Sequence, residues 1–441
     1  DQTTDAATDT RTGMNMGDRM KFRLLTVLAT GGALALPSVE AQAQTDYFAR
    51  DRNVSVKDRP HPEYEALGVR WGSFRAYPRV QADVGYDSNI FATDTDEQSD
   101  TLIRLAPGVE VESDWSRHSL TAFAKGQSTW SASYGSENYQ TWSVGTAGRL
   151  DLRRRTNLGG GMDYAREVEP RTSSNSPQSI AEPIRYDRAQ AYVTGSHSFN
   201  RLRFSGRGDV RSYDYHDGVT LAGVPVPQSD RDQTTYEITG RADYAVSPAT
   251  AVFARVSFND RSYDAAGTAL TPKRDSSGVN AIVGVDFELT NLIRGEAGVG
   301  YLDQSFDDPL YGSTSGLSTR VRLEYFPTQL LTLGLNADRS VGDSGVPGSG
   351  GYLSSTVQLT ADYELRRNVI VEARAGFAQE DFDAIDRQND RWFGGVRATY
   401  LLNRRLGVTA AYDFENRRSS GFDRTNDFNT HRFVLSLVAQ Y

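Results

Sequence analysis

From about residue 79 to residue 441 the chain repeats one rhythm: a segment of roughly ten residues in which apolar and polar side chains alternate, then a turn or loop. Val279, Ala281, Val283, Val285, Phe287 and Leu289 alternate with Asn280, Ile282, Gly284, Asp286 and Glu288. Leu317, Thr319, Val321, Leu323 and Tyr325 alternate with Ser318, Arg320, Arg322 and Glu324. Val357, Leu359, Ala361, Tyr363 and Leu365 do so with Gln358, Thr360, Asp362 and Glu364, and Tyr236, Ile238, Gly240, Ala242 and Tyr244 with Glu237, Thr239, Arg241 and Asp243. Successive side chains on a strand point to opposite faces, so this period sorts the chain onto an oily face and a wet one. A helix needs apolar residues three and four apart, and that spacing would put charge on every side here. The pattern predicts an all-β protein, a transmembrane antiparallel up-and-down β-barrel.

The connections alternate in length. Short ones fall at 114–117, 153–157, 199–201, 247–250, 290–291, 327–330, 366–368 and 403–405. Longer ones, rich in the strand-breaking residues Gly, Ser, Asp, Asn and Pro, fall at 88–99, 134–138, 170–184, 216–230, 265–276, 307–314, 343–351, 383–390 and 419–427. Eight short and nine long connections imply 18 strands. Sixteen stays open, because segments such as 158–169 are Gly-rich. An even number puts both ends of the barrel on the short-turn side, with short periplasmic turns and long extracellular loops as the ordinary asymmetry. Phe287, Tyr325, Tyr363, Tyr400 and Tyr441 fall near the short-turn end, and Trp130, Tyr236, Tyr301, Phe377 and Trp392 nearer the long-loop end, as two interfacial girdles would. A soluble β-sandwich or propeller would also alternate. Its core would need larger aliphatic residues than the Val, Leu, Ala and Gly found here.

The ends and the bulk composition sharpen this. Met20, Lys21 and Arg23 precede the apolar run LLTVLATGGALAL at 24–36, and Ala41-Gln42-Ala43 follows. Basic start, short apolar stretch and small-x-small site read as a secretory signal peptide, so 1–43 is expected to be leader and signal peptide. The last strand, with Phe433, Leu435, Leu437, Ala439 and Tyr441 on one side, resembles the signal read by the barrel-assembly machinery, where a terminal Phe is commoner. There is no cysteine, which rules out disulfides and thiolate metal sites. After Ala43 no apolar run is long enough for a membrane helix. Net charge is −9 with no basic stripe, so nucleic acid is not an expected partner.

Residues 44–73 do not alternate and are expected to form a periplasmic N-terminal extension, a loose tail or a segment tucked into the lumen; 74–441 would be the outer-membrane barrel. From this extension into the first hairpin the chain carries RPHPEYEALGVRWGSF (59–74), Pro78, YDSNIFAT (86–93), Ser99-Asp100, Pro107-Gly108 and SDWSRH (113–118). This stretch of about 60 residues resembles the β-barrel porin type 2 family. The resemblance implies a large outer-membrane barrel of a Gram-negative bacterium. Some members are linked to exopolysaccharide synthesis and export machinery, so it also implies polysaccharide export components as partners.

Candidate chemistry is sparse. The five histidines, His61, His118, His197, His216 and His431, do not pair at metal-ligand spacing. Asp214-Tyr215-His216-Asp217 could supply a general base at the rim, but the spacing is that of any solvated loop. The acidic loop with Asp87, Asp94, Asp96, Glu97 and Asp100 lacks the Gly and terminal Glu of an EF-hand; it reads as a hydrated extracellular loop near lipopolysaccharide. No cofactor, metal or catalytic residue is expected, and the protein is not expected to be an enzyme. The informative residues are those that strand phase turns inward: Arg104, Glu110, Lys125, Arg149, Arg207, Asp209, Arg211, Glu237, Arg241, Asp243, Arg255, Asp286, Glu288, Arg320, Arg322, Glu324, Asp362, Glu364, Glu372, Arg374, Arg397, Asp413 and Glu415. A barrel of 16–18 strands is wide enough for an aqueous channel. Mixed charge suits neutral or weakly charged polar solutes. The expectation is therefore a porin-like conduit. The alternatives are a structural or surface-interaction barrel whose charges form a closed, salt-bridged lumen and, remotely, a rim hydrolase.

Overall fold

The computed structural model describes residues 54–441 except 154, 178–179, 268–271 and 291. The expected leader and signal peptide at 1–43, and residues 44–53 of the extension, lie outside the described residues.

Eighteen strands among the described residues form one ring: β1 (Phe74–Asp87), β2 (Asp100–Ser113), β3 (Ser119–Ser131), β4 (Tyr139–Arg153), β5 (Thr156–Val168), β6 (Arg185–Phe199), β7 (Leu202–Tyr215), β8 (Gln233–Ser247), β9 (Thr250–Tyr263), β10 (Ser276–Leu289), β11 (Ile293–Phe306), β12 (Ser313–Thr328), β13 (Leu331–Asp343), β14 (Gly351–Arg366), β15 (Val369–Phe382), β16 (Gln388–Leu401), β17 (Leu406–Ser420) and β18 (Phe428–Gln440). Each pairs antiparallel with its sequence neighbours. The ring closes where β1 meets β18, from Arg79 opposite Gln440 to Asp87 opposite Arg432. The ring is one closed sheet, so the two-layer sandwich alternative does not hold, and 18 strands replace the choice between 16 and 18; a small separate pairing of Gly218–Val219 with Pro225–Val226 lies in the β7–β8 connection.

The strands are 13–16 residues long, longer than the ten or so that the alternation marks. The ladder continues past the apolar band into polar ends such as Asn416, Arg417, Arg418, Ser419 and Ser420 of β17, because each added backbone pair satisfies two groups that water would otherwise have to satisfy. Pairing is incomplete in places: the β2–β3 ladder skips Ala106 and Pro107, the seam ladder begins only at Arg79, and β12 and β13 part at one end. β12 and β13 are in register from Thr319/Arg339 to Tyr325/Leu333, and no ladder joins them above Thr319 among the described residues. There the tip of the β13–β14 hairpin turns inward: Ser344 and Ser349 are buried, and Arg274 donates to the Ser344 carbonyl.

Polarity is inverted relative to a soluble protein. Val283 is 62% exposed, Ile238 63% and Leu359 56%, whereas Arg241 and Asp243 on the opposite face are 4% and 3% exposed. Burying charge inside while leaving Val and Leu on the surface is stable only if the surrounding solvent is lipid. Tyr325, Tyr363, Tyr400 and Tyr441 at the short-turn end, and Trp130, Tyr236, Tyr301 and Trp392 at the long-loop end, all lie exposed on the outer face. Phe377 and Trp392 pack with ring centroids 4.6 Å apart.

The conspicuous motifs have structural roles at the seam and the first turn. In YDSNIF, Asp87 accepts from Arg432 at 2.6 Å and from Thr430. Fully buried Asn89 donates to the carbonyls of Thr93 and Asn429, tying the first loop to β18. In SDWSRH, Trp115 packs edge-on to Phe74, and Arg117 donates to the carbonyls of Asp151 and Leu152. Ahead of β1, Val69–Trp71 folds back onto Phe74–Ala76. Gly68 has φ +68°, and a Cβ there would lie 2.6 Å from the Arg75 side chain, so this entry turn requires glycine.

Leu359→Arg, which puts a charge on the outer face midway along β14, is expected to cost about 2–4 kcal/mol in bilayers, while Asn336→Arg on the inner face of β13 is tolerated. Denaturant unfolding in lipid vesicles measures both, and equal costs would contradict the assignment of faces.

Candidate functional site: the barrel lumen

The inward set is held by the strands two residues apart, so charges from neighbouring strands meet in rows. One row crosses β7 to β11. Arg241 lies 2.7 Å from Asp243, 2.5 Å from Glu296 and 3.9 Å from Asp286, with its guanidinium 4.0 Å above the Phe253 ring. Arg203 joins the row through Asp243 at 3.3 Å, and buried Arg255 stands opposite Arg241 on β9. Nearer the long loops, Arg207 pairs with Asp209 at 2.5 Å and lies over Tyr192; Arg211 reaches Asp209 and Glu237 at 3.6 and 3.8 Å.

The other walls repeat this. Arg374 pairs with Asp413 at 2.6 Å, Arg397 with Glu372 at 3.9 Å, Arg104 with Asp83 at 3.6 Å, Arg149 with Asp151 at 3.2 Å and Arg320 with Asp338 at 4.0 Å. Glu324 pairs with Arg294, and Glu415 with Arg391. By register Glu288 stands opposite Arg294, and Arg322 opposite Glu296. Glu110 and Lys125 sit on β2 and β3, Lys125 over the Phe123 ring at 4.8 Å. On β13 the inward Asn336, Asp338 and Ser340 are exposed although they lie inside the ring, so open space adjoins this wall.

Both mouths are narrowed by the chain itself. At the short-turn end residues 55–66 lie inside the ring. The Val56 amide donates to Thr332 Oγ1 at 3.0 Å, Lys57 pairs with Asp362 at 3.2 Å, and Arg59 pairs with Glu364. His61 is buried. Arg404 and Gln440 donate to the carbonyls of Pro62 and Tyr64. Of the two forms the sequence left open for the extension, the described part takes the tucked one. Between this segment and the β1–β5 and β15–β18 walls is a cavity of about 550 Å³, lined by Lys57, His61, Arg79, Glu110, Lys125 and Glu372 among others.

At the long-loop end the β5–β6 connection folds inward. Its base is fixed by Arg171 to Glu137 at 2.5 Å and Arg231 to Glu169 at 2.8 Å. Burial works against the Arg231 charge, but the Glu169 carboxylate more than offsets it, so the pKa of this guanidinium is raised. Thr172, Ser173 and Ser174 are buried against the far side of the ring. Arg417 donates to the Ser173 carbonyl at 3.3 Å and Arg387 to the Ser174 carbonyl at 3.0 Å. Ser174 Oγ donates to Glu380. Asn175 donates to the Asp343 carbonyl and accepts from the Gly345 amide, both at 3.0 Å.

Glu380, Arg391 and Arg417 share the inward phase of their strands but lie in polar strand ends, where no apolar alternation marks a face. Ser173 and Ser174 carry no periodic signal that could reveal an inward fold. The Asp214–Asp217 stretch is divided: Tyr215 lies under Arg231 at 4.0 Å, whereas His216 Nε2 is 3.3 Å from Asp187, which Arg166 also holds at 2.8 Å. In the acidic loop Asp100 accepts from Ser131 Oγ and the Ser133 amide. Among the described residues no group of three His, Cys, Asp or Glu side chains is placed to hold a metal ion.

Residues 61–441 match the family described as "Putative beta-barrel porin 2". No curated protein matches in sequence. Solved structures with a similar course include a mutant of the ferric enterobactin receptor PfeA from Pseudomonas aeruginosa, 9% identical over 86% of this chain and 81% of that one, TM-score 0.45. The outer membrane protein OpdK from the same organism is 12% identical over 83% of this chain and 99% of that one, TM-score 0.42. OccK5 (OpdH), also from P. aeruginosa, is 11% identical over 84% and 98%, TM-score 0.44.

Because the chain has no cysteine, Val56→Cys with Thr332→Cys gives a clean test of the inserted segment. Oxidation is expected to form one intramolecular disulfide in the folded barrel, seen as a shift in non-reducing gel migration. Two free thiols that stay labelled by maleimide after oxidation would place the segment elsewhere.

Proposed function

The chain belongs to the beta-barrel porin 2 family, and on that footing we propose that it is an outer-membrane conduit of a Gram-negative bacterium for polar solutes, delivered across the inner membrane by the signal peptide at 1–43. The observation that carries this reading is the lumen. Charged side chains of both signs line a ring of 18 strands, and the exposed row Asn336, Asp338 and Ser340 borders open space inside it. Paired guanidinium and carboxylate groups offer donors and acceptors that replace water around a passing solute, without strong selection by sign and with no bond made or broken. Export of exopolysaccharide, with export components on the periplasmic side and lipopolysaccharide around the outer rim, is the specific version. It rests on the family resemblance of the 59–118 stretch. Folding would pass through the barrel-assembly machinery, with Phe433, Leu435, Leu437, Ala439 and Tyr441 as its signal.

A second reading has an observation in its favour: both mouths are narrowed by the chain's own segments, as a structural barrel with a closed lumen would require. Single-channel recording in planar bilayers separates the two. The conduit reading expects small or intermittent currents from the native chain and larger, more frequent ones from the Lys57→Ala/Arg59→Ala variant, whose inserted segment has lost its two ion pairs. No current from either protein at any voltage would favour the closed barrel. For the export reading, deletion of the gene is expected to reduce polysaccharide at the cell surface while leaving its synthesis intact.

A further inference from the structure

Most inward arginines in this lumen meet a carboxylate, and Arg241 is within 4 Å of three. Arg387 and Arg417 differ. Arg417 is 1% exposed, and its partners are backbone oxygens: the Ser173 carbonyl at 3.3 Å and the Asn426 carbonyl at 3.2 and 2.9 Å. Arg387 donates to the Ser174 carbonyl and to Asn389 Oδ1. Neither forms a salt bridge among the described residues. A buried guanidinium is costly unless a counter-charge offsets its desolvation, and a carbonyl carries only a partial charge. The third member, Arg391, already holds Glu380 at 3.2 Å and Glu415. Three cations therefore face two carboxylates.

The two odd guanidinium groups are also held rigidly. Arg387 lies 4.5 Å over the Phe382 ring and Arg417 4.6 Å over Phe428, and Asn389, fully buried, bonds Glu380 and Ser174 between them. The adjacent Ser173 and Ser174 carbonyls take one terminal NH2 group from Arg417 and one from Arg387, and two such fixed, charged donors match a planar group with two oxygens, of which carboxylate is the commonest.

We propose that the long-loop mouth holds a carboxylate-binding subsite formed by Arg387 and Arg417, beside the already paired Arg391, which the backbone oxygens of Ser173 and Ser174 occupy until a solute displaces them. This deepens the conduit reading and rests on it for the identity of the solute: a polar, carboxylate-bearing molecule, sugar acids included. The loop tip competes with the solute, and the Asn175 clamp to Asp343 and Gly345 sets how firmly it competes.

The test is calorimetric titration of the full chain in detergent with trigalacturonate, with the same trimer fully methyl-esterified, and with inorganic phosphate. Trigalacturonate should bind and the ester should not. Arg417→Gln should weaken binding about tenfold or more, the size expected for a lost bond to a charged group. Asn175→Ala should strengthen it, because the loop tip then leaves more readily. Heat-modifiable gel migration checks that each variant is folded; should Arg417→Gln fail to fold, the gain from Asn175→Ala still decides. Equal behaviour of acid and ester, unchanged binding in folded Arg417→Gln, or no gain in Asn175→Ala would overturn the subsite. Phosphate binding as well as the trimer would overturn its assignment to carboxylates. Titration needs no current, so a chain that binds trigalacturonate but never conducts would refute the conduit and not the subsite.

Discussion

A peptide group in hydrocarbon has no water to bond, and everything in this chain follows from that constraint. The backbone must bond itself completely, and strands can do so only as a ring. Once the ring is closed, side chains are free to divide by solvent: Val, Leu and Ala rows outward, charges inward. The division is what a soluble fold would avoid, and it is stable here because the outer solvent is oil and the inner one is polar. Aromatic residues then collect where the two solvents meet, as Tyr325, Tyr363 and Tyr400 do at one rim and Tyr236, Tyr301 and Trp392 at the other.

The same constraint shapes the interior. A lumen lined with charge would be expensive if the charges were unmatched, and the two-residue stagger of neighbouring strands lets Arg241, Asp243, Asp286 and Glu296 answer one another. Such rows make a wall that is polar yet close to neutral. The segments that narrow the mouths use the same chemistry. Lys57 and Arg59 take carboxylates already present on β14, and the β5–β6 connection takes guanidinium groups on the far wall. A polar interior can hold its own chain as readily as it can hold a solute, so narrowing and passage depend on one set of side chains.

The ring was legible in the sequence because a period of two and an alternation of connection lengths are local properties. Val279 to Leu289 announce a membrane strand without reference to any other residue, and the 18-strand total follows from counting. Strand length was underread, since polar ends such as 416–420 of β17 keep pairing after the apolar signal stops. The inward fold of 169–177 was not legible. It depends on Ser173 and Ser174 meeting Arg387 and Arg417, more than 200 residues later, and Gly- and Ser-rich loops look alike whether they cross a lumen or wave in water. For the extension, Lys57 and Arg59 were visible as charges, but their partners Asp362 and Glu364 could be matched to them only in three dimensions.

The incomplete pairing of β12 with β13 bears on the surrounding bilayer. Above Thr319 and Arg339 these two strands share no ladder, yet Leu317 still points outward and is half exposed. Peptide groups along that edge cannot rest in oil. Leu317 stands opposite Tyr301 of the long-loop girdle, so the strands part at the interface, where water can bond the peptide groups they leave unpaired. Between β12 and β13 the wall is thus sealed by its ladder through the apolar band and parts only at the long-loop rim.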